Sequence, residues 1–266
     1  MTTALLAERE EGLASFPTRR LSFSRINRYL RCPEQYRCYY IEMLRLRVTP
    51  ASLIFGQIVH QALAGFFLGQ GDPVGFFIHN WKEAQKTPMA FAYRESWEKL
   101  AERGQALLEL FLKEEVAKLE KVVAVEKAFS LSITSLDMPL VGIIDLVAEV
   151  SGERTVIDFK TASKAYEDYE VILSDQLTSY HLAEPDVRRS ALCVLVKTKE
   201  PRIDWYFSQR QGEQLAEFLT KAEMIAQDIT ACRFYKRPGQ WCAWCDYLPL
   251  CLGDRERAQQ TLVQAP

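Results

Sequence analysis

The order of apolar and polar positions divides this chain into a helical front, a stranded middle and a mixed end. Residues 1–20 hold no sustained period and read as a flexible lead-in. "LSFSRINRYLRCPEQYRCYYIEML" predicts a helix capped near Ser22 or Ser24, broken at Pro33, with a second helix beyond. "ASLIFGQIVHQALAGFFLGQG" predicts an apolar helix that ends at the Gly69 and Gly71 pair, and the pattern stays helical from residue 73 to about 120. The period then shortens from 3.6 to 2. "KVVAVEKAFSLSI", "PLVGIIDLVAEV" and "RTVIDFKT" predict three consecutive strands. A helix over "YEVILSDQLTSYHLAE", strands at "SALCVLVKT" and "RIDWYFS", and a long helix "QGEQLAEFLTKAEMIAQDITAC" follow. This order predicts an α/β fold: a mixed central β-sheet flanked by helices, with an N-terminal helical elaboration.

Composition narrows the class. At 266 residues, 48% hydrophobic and 26% charged, the chain can bury a sizeable core and reads as a soluble globular protein. No apolar run reaches the ~18 residues of a membrane span, and the first residues do not read as a signal peptide, so the expected location is cytoplasmic with no membrane partner. The net charge of −2 announces no polyanion, but its distribution is uneven. Arg19, Arg20, Arg25, Arg28, Arg31, Arg37, Arg45 and Arg47 are opposed over residues 19–47 only by Glu34 and Glu42. Such a stripe is either a phosphate-binding footprint or a solvated helix face.

The chemistry concentrates in two strands whose pattern is that of a core. Asp145 interrupts "LVGIIDLVAEV", and Asp158 and Lys160 interrupt "RTVIDFKT". On an ideal strand Val141, Ile143, Asp145 and Val147 share one face, with Gly142, Ile144 and Leu146 on the other. If the two strands are neighbours, Asp145 and Asp158 converge with Lys160 beside them. Burying an unpaired carboxylate is costly, so the acids are expected to bind a cation or to form an internal ion pair with Lys160. Hard oxygen donors of this kind suit Mg²⁺ or Mn²⁺.

Near the end, "WCAWCDYLPLC" places Cys242, Cys245 and Cys251 as C-x2-C-x5-C. Three thiols so close point to a metal centre, and Cys38, Cys193 or Cys232 offers a fourth ligand. Spacing alone does not separate a four-cysteine Zn²⁺ site from an iron–sulfur cluster. Tyr29, Tyr36, Tyr39 and Tyr40, then Tyr235, Trp241, Trp244 and Tyr247, interleave with basic residues; they either stack on bases or pack around such a centre.

"GIIDLV" followed by "DFK" resembles the motif of PD-(D/E)XK nucleases, and the flanking segments resemble the RecB-like and CRISPR-associated-exonuclease-like branch. "SFSRINRYLRCPEQYRCYY" is similar to its opening segment, "FGQIVHQAL" to its first helical motif, and "DQLTSYHLA" to its glutamine–tyrosine motif. The resemblance implies a restriction-endonuclease-like core in one nuclease domain over residues 21–253. Within it, 52–120 would be a helical insertion, 121–210 the catalytic sheet and 232–253 a cluster-binding segment, with 254–266 a polar tail. It further implies that His60, Asp145, Asp158 and the backbone carbonyl of Phe159 ligate Mg²⁺ or Mn²⁺. Lys160 would activate the attacking water, oriented by Gln176 and Tyr180, with Glu126 in support. Cys32 would join Cys242, Cys245 and Cys251 around a [4Fe–4S] cluster. In the basic stripe, Arg25, Arg28, Arg31 and Arg37 are the residues expected to meet DNA. The implied activity is exonuclease cleavage of single-stranded DNA ends, in repair, recombination or CRISPR adaptation. No "GxxxxGK[ST]" loop is present, so a helicase or an adaptation partner would be a separate subunit. A non-catalytic DNA-binding or assembly module is the alternative.

Overall fold

The computed structural model describes residues 19–133 and 138–265; the expected lead-in lies outside them except for Arg19 and Arg20. Ser22 caps helix α1 (Phe23–Arg31), its hydroxyl accepting from the Arg25 amide at 3.3 Å. Cys32 is extended, as the residue before a proline prefers, and Pro33 opens α2 (Pro33–Tyr36), which runs into a π-helical turn at Arg37–Ile41. Short strands β1 (Leu44–Leu46) and β2 (Thr49–Pro50) lead to α3 (Ala51–Phe67). The helical stretch expected over 73–120 is instead two helices, α4 (Pro73–Ala84) and α5 (Trp97–Glu114). Between them β3 (Met89–Ala90) pairs in parallel with β2. Pro88 lacks the amide a helix needs, and Ser96 restarts the helix by accepting from the Lys99 amide.

The central sheet follows in the order β4 (Lys121–Leu131), β5 (Leu140–Val150), β6 (Glu153–Ala162), β7 (Arg189–Val196) and β8 (Arg202–Ser208). Only β6 and β7 run parallel, so the sheet is mixed as expected. Ser151 and Gly152 join β5 to β6, both at positive φ, the geometry that matches the twist of a two-residue hairpin. The crossover from β6 to β7 was expected as one helix and is two, α6 (Asp168–Ile172) and α7 (Asp175–Ala183). Ser174 is extended between them and caps α7 through the Leu177 amide, which fixes where Gln176 and Tyr180 begin.

Helices cover both faces of the sheet. On one, α3, α4 and α5 bury Phe55, Phe77, Trp81 and Phe111 against Leu146, Ile157, Phe159 and Cys193. The predicted insertion is therefore a full layer of the core. Gly104 of α5 is required there, because a Cβ would lie 2.0 Å from the Phe77 ring. On the other face, α1, α7 and the long α8 (Gly212–Thr230) bury Ile26, Tyr180, Phe218 and Ile225 against Ile144, Val147, Val156 and Val194. After a 3₁₀ turn at Gln240–Trp244, the tail forms α9 (Leu248–Leu252), α10 (Arg255–Thr261) and β9 (Leu262–Gln264). β9 pairs antiparallel with β1, so the segment expected as a polar tail is ordered and returns to the front of the chain.

Candidate active site

The β5–β6 ladder runs from Val150–Glu153 to Leu146–Ile157 and stops there. One step further the backbones no longer pair, and the Phe159 amide donates to Asp145 Oδ2 at 2.9 Å. The strand phase breaks at the same place. Ile144 and Val147 pack in one core cluster while Leu146 packs in the other, which corrects the strict alternation expected through residue 147. Glu126, at φ 46°, lies between the register pairs Val125–Leu146 and Lys127–Ile144, so β4 is irregular opposite Asp145 as well. This splay brings the two strand acids together. Asp145 is 4% exposed and Asp158 1%, and α3 brings His60 Nδ1 to 3.3 Å from Asp145 Oδ2.

Lys160 Nζ stands 2.7 Å from Asp158 Oδ2 and donates to Gln176 Oε1 at 2.9 Å. Gln176 Nε2 donates to Asp158 Oδ1 at 2.8 Å and lies 2.8 Å from the Tyr180 hydroxyl. That hydroxyl is 2.9 Å from the Ile143 carbonyl and 3.1 Å from Asp158 Oδ1, with one proton for the two. Gln176 and Tyr180 reach the same acid because they are one turn apart on α7. Burial pushes the Asp158 carboxyl upward; Lys160 draws it back and Asp145 adds to the rise. Burial would pull the Lys160 ammonium down, but Asp158 and Asp145 outweigh it and leave its pKa raised. The site thus places a charged lysine beside two buried carboxyl groups.

Asp158 Oδ2 is buried, and its close partner is the Lys160 ammonium at 2.7 Å. Asp158 lines a cleft of about 210 Å³ with His60, Asp145, Lys160 and Gln176. Two carboxylates and an imidazole around one cleft fit a hard divalent cation. Among the described residues no three His, Cys, Asp or Glu side chains form a ready-made ligand set. The cleft is also lined by Ser22, Phe23 and Ser24 at the start of α1. The sequence signalled Ser22 only as a cap.

The other candidates fall into two groups. Cys242, Cys245 and Cys251 line one cavity of about 330 Å³ together with Cys32. Cys38 and Cys193 are buried in separate core clusters and Cys232 is exposed. Burial pushes the thiols of Cys245 and Cys251 up, and Gln35 Nε2 lies 3.7 Å from Cys245 Sγ. Of the arginines, Arg37 is neutralised by Glu34 and Glu42. Arg25 lies over the Tyr40 ring, Arg28 over Tyr39, and Arg31 6.0 Å from Trp241. Tyr29, Tyr36 and Tyr247 are buried, whereas Tyr235, Trp241 and Trp244 are exposed. No helix among the described residues is long and apolar enough to cross a membrane.

Known structures share this architecture. A protein of Eubacterium rectale provisionally named an exonuclease superposes with a TM-score of 0.52 at 12% identity, over 81% of each chain. The protein SSO0001 superposes with a TM-score of 0.50 at 16% identity, over 94% of this chain and 95% of its own. At such identities the likeness is one of fold. No curated protein matches the sequence. The family model of the PD-(D/E)XK nuclease superfamily matches residues 20–252, a span that takes in both strand acids, the lysine and the cysteine segment up to Cys251. The chain belongs to the PD-(D/E)XK nuclease superfamily.

Proposed function

We propose that the protein is a Mg²⁺- or Mn²⁺-dependent deoxyribonuclease that acts as an exonuclease on single-stranded ends. The observation that carries the metal-dependent chemistry is the pair of buried acids, Asp145 and Asp158, with His60 Nδ1 3.3 Å from Asp145 and Lys160 Nζ 2.7 Å from Asp158. His60, Asp145, Asp158 and the Phe159 carbonyl would hold the ion, which when bound supplies Lewis acidity at the scissile phosphate and lowers the pKa of water. The chain's own groups do the rest. Gln176 fixes both Asp158 and the Lys160 ammonium, so the lysine keeps one position over the cleft. From there its positive charge orients the attacking water and offsets the charge that develops on the phosphate. Tyr180 clamps Asp158 Oδ1 and holds α7 against β5 through the Ile143 carbonyl. The exonuclease name of the Eubacterium rectale protein agrees with end cleavage.

Cys32, Cys242, Cys245 and Cys251 are proposed to hold a [4Fe–4S] cluster. The four thiols line one cavity of about 330 Å³, and four-thiolate ligation suits such a cluster, with a Zn²⁺ site as the rival. Iron, sulfide and zinc analysis of anaerobically purified protein tests it, and a colourless zinc-loaded sample overturns it.

The nuclease reading is tested on end-labelled single-stranded DNA with Mg²⁺ or Mn²⁺. Wild type should shorten the strand from an end, chelation should stop it, and Asp158→Ala and Lys160→Ala should each lower the rate at least ~100-fold. Equal inertness of wild type and variants would leave a DNA-binding module.

A further inference from the structure

Arg25, Arg28 and Arg45 stand in one row with Tyr39 and Tyr40. The Arg45 guanidinium lies 3.6 Å from the centre of the Tyr39 ring and Arg28 lies 3.8 Å from that same ring. Arg28 is also 5.7 Å from Tyr40, and Arg25 is 4.2 Å from it. The π-helical turn at Arg37–Ile41 places both tyrosines within reach of α1, with their rings 4.7 Å apart edge to face. Arg25 Nη1 donates to the Tyr36 hydroxyl, and Arg45 Nη1 to the carbonyls of Tyr39 and Leu44. The three cations are thus held in place.

Their charge is not balanced within the protein. Among the described residues none of the three has a carboxylate within ion-pair distance, whereas Arg37, in the same segment, is paired with Glu34 and Glu42. Asp246 feels Arg28 but stands beyond that distance. Three like charges around two rings repel one another, and each cation–π contact of these half-buried groups offsets only about 0.5–2 kcal/mol. A fixed, unneutralised row of this kind is complementary to a polyanion.

The row also has a direction. Ser22, Phe23 and Ser24 line the catalytic cleft, Arg25 follows at once, and Arg28 lies one turn further along α1. We propose that Arg25, Arg28 and Arg45 form a phosphate track that leads one DNA strand into, or away from, the cleft, with Tyr39 and Tyr40 as positioning residues. The assignment rests on the nuclease reading. The guanidiniums cover ring faces of Tyr39 and Tyr40, so the track grips phosphates, and the strand's bases are left to other surfaces.

The test is binding of a fluorescent oligothymidylate, read by anisotropy across a salt series. Asp158→Asn protein without divalent metal is used, so that cleavage plays no part. Each of Arg28→Gln and Arg45→Gln should lower the magnitude of the log K against log salt slope by about 0.7 and weaken binding about five-fold at ~0.1 M salt. Arg37→Gln, whose charge is already paired, should change neither. Melting curves accompany each variant. Where a glutamine variant does not fold, Arg28→Lys and Arg45→Lys serve instead; they should keep the slope and lose affinity. Unchanged slopes in folded glutamine variants, unchanged affinity in the lysine variants, or an equal effect from Arg37→Gln overturns the track. Binding with the expected slopes in a protein that never cuts would sink only the nuclease reading. Cutting with unmoved slopes would sink only the track.

Discussion

Gln176 shows how much of this site depends on a side chain that need not touch the reacting atoms. Its amide oxygen accepts from Lys160 and its nitrogen donates to Asp158, so one planar group fixes the relative position of acid and ammonium. If the proposed nuclease reading holds, Gln176→Ala should lower the cleavage rate about 10- to 100-fold, the usual cost of losing a group that orients a metal ligand. Single-turnover kinetics would check this, and a rate within two-fold of wild type would remove Gln176 from the mechanism. His181, on the same helix, has a different fate. Burial, helped by Arg210, depresses its pKa to about 4, and Nε2 lies 3.2 Å from Ser190 Oγ. The unfolded imidazole titrates near 6.5, so between about 6.5 and 4 the unfolded chain binds more protons than the folded one. This residue's contribution to stability is therefore complete above about pH 6.5 and declines as pH falls toward 4. His181→Gln should flatten the fall in melting temperature across that window, and an unchanged profile would contradict it.

At the scale of elements, the helical layers are fitted to the sheet by a few positions that admit no alternative. Gly104 receives the Phe77 ring in the middle of α5, so Gly104→Ala should destabilise the fold by about 1–3 kcal/mol through overpacking, although alanine is the better helix former. A chemical denaturation curve decides between these opposed effects. Ser174 ends α6 and caps α7, and Ser174→Ala should cost about 0.5–2 kcal/mol. It should also lower activity, since α7 carries Gln176 and Tyr180. These elements were legible in sequence to different degrees. The core strands and the long helices followed from period alone. The break at Ser174 did not, because a serine within an amphipathic stretch fits a helix interior and a cap equally well until packing chooses. The inverted side-chain phase at Asp145 was hidden for a related reason: a splayed ladder arises between strands and leaves no mark in either one.

Across the whole molecule, the front and the end of the chain are joined by more than the cysteine cavity. β9 pairs with β1, the Tyr29 hydroxyl donates to the Arg233 carbonyl at 2.7 Å, and the Tyr247 hydroxyl donates to the Leu44 carbonyl at 2.9 Å. Leu262, Ala258 and Tyr247 bury Cys38 between these contacts. The clasp should therefore hold α1 near the sheet by itself. Leu262→Ala should lower stability by about 2–5 kcal/mol and open Cys38 to a thiol reagent that it resists in the wild type. Equal labelling in the two proteins would show that the clasp does not depend on this residue.

The amino-acid sequence by itself determined the α/β class, the strands that carry Asp145, Asp158 and Lys160, and the cysteine spacing. Period, cap chemistry and motif order are local properties, read within a few residues of one another. Only the tertiary structure decided which arginines are already neutralised and that the tail folds back as a strand. Those outcomes depend on partners far away in the chain. Pairing and desolvation act between surfaces that do not exist until the chain has folded.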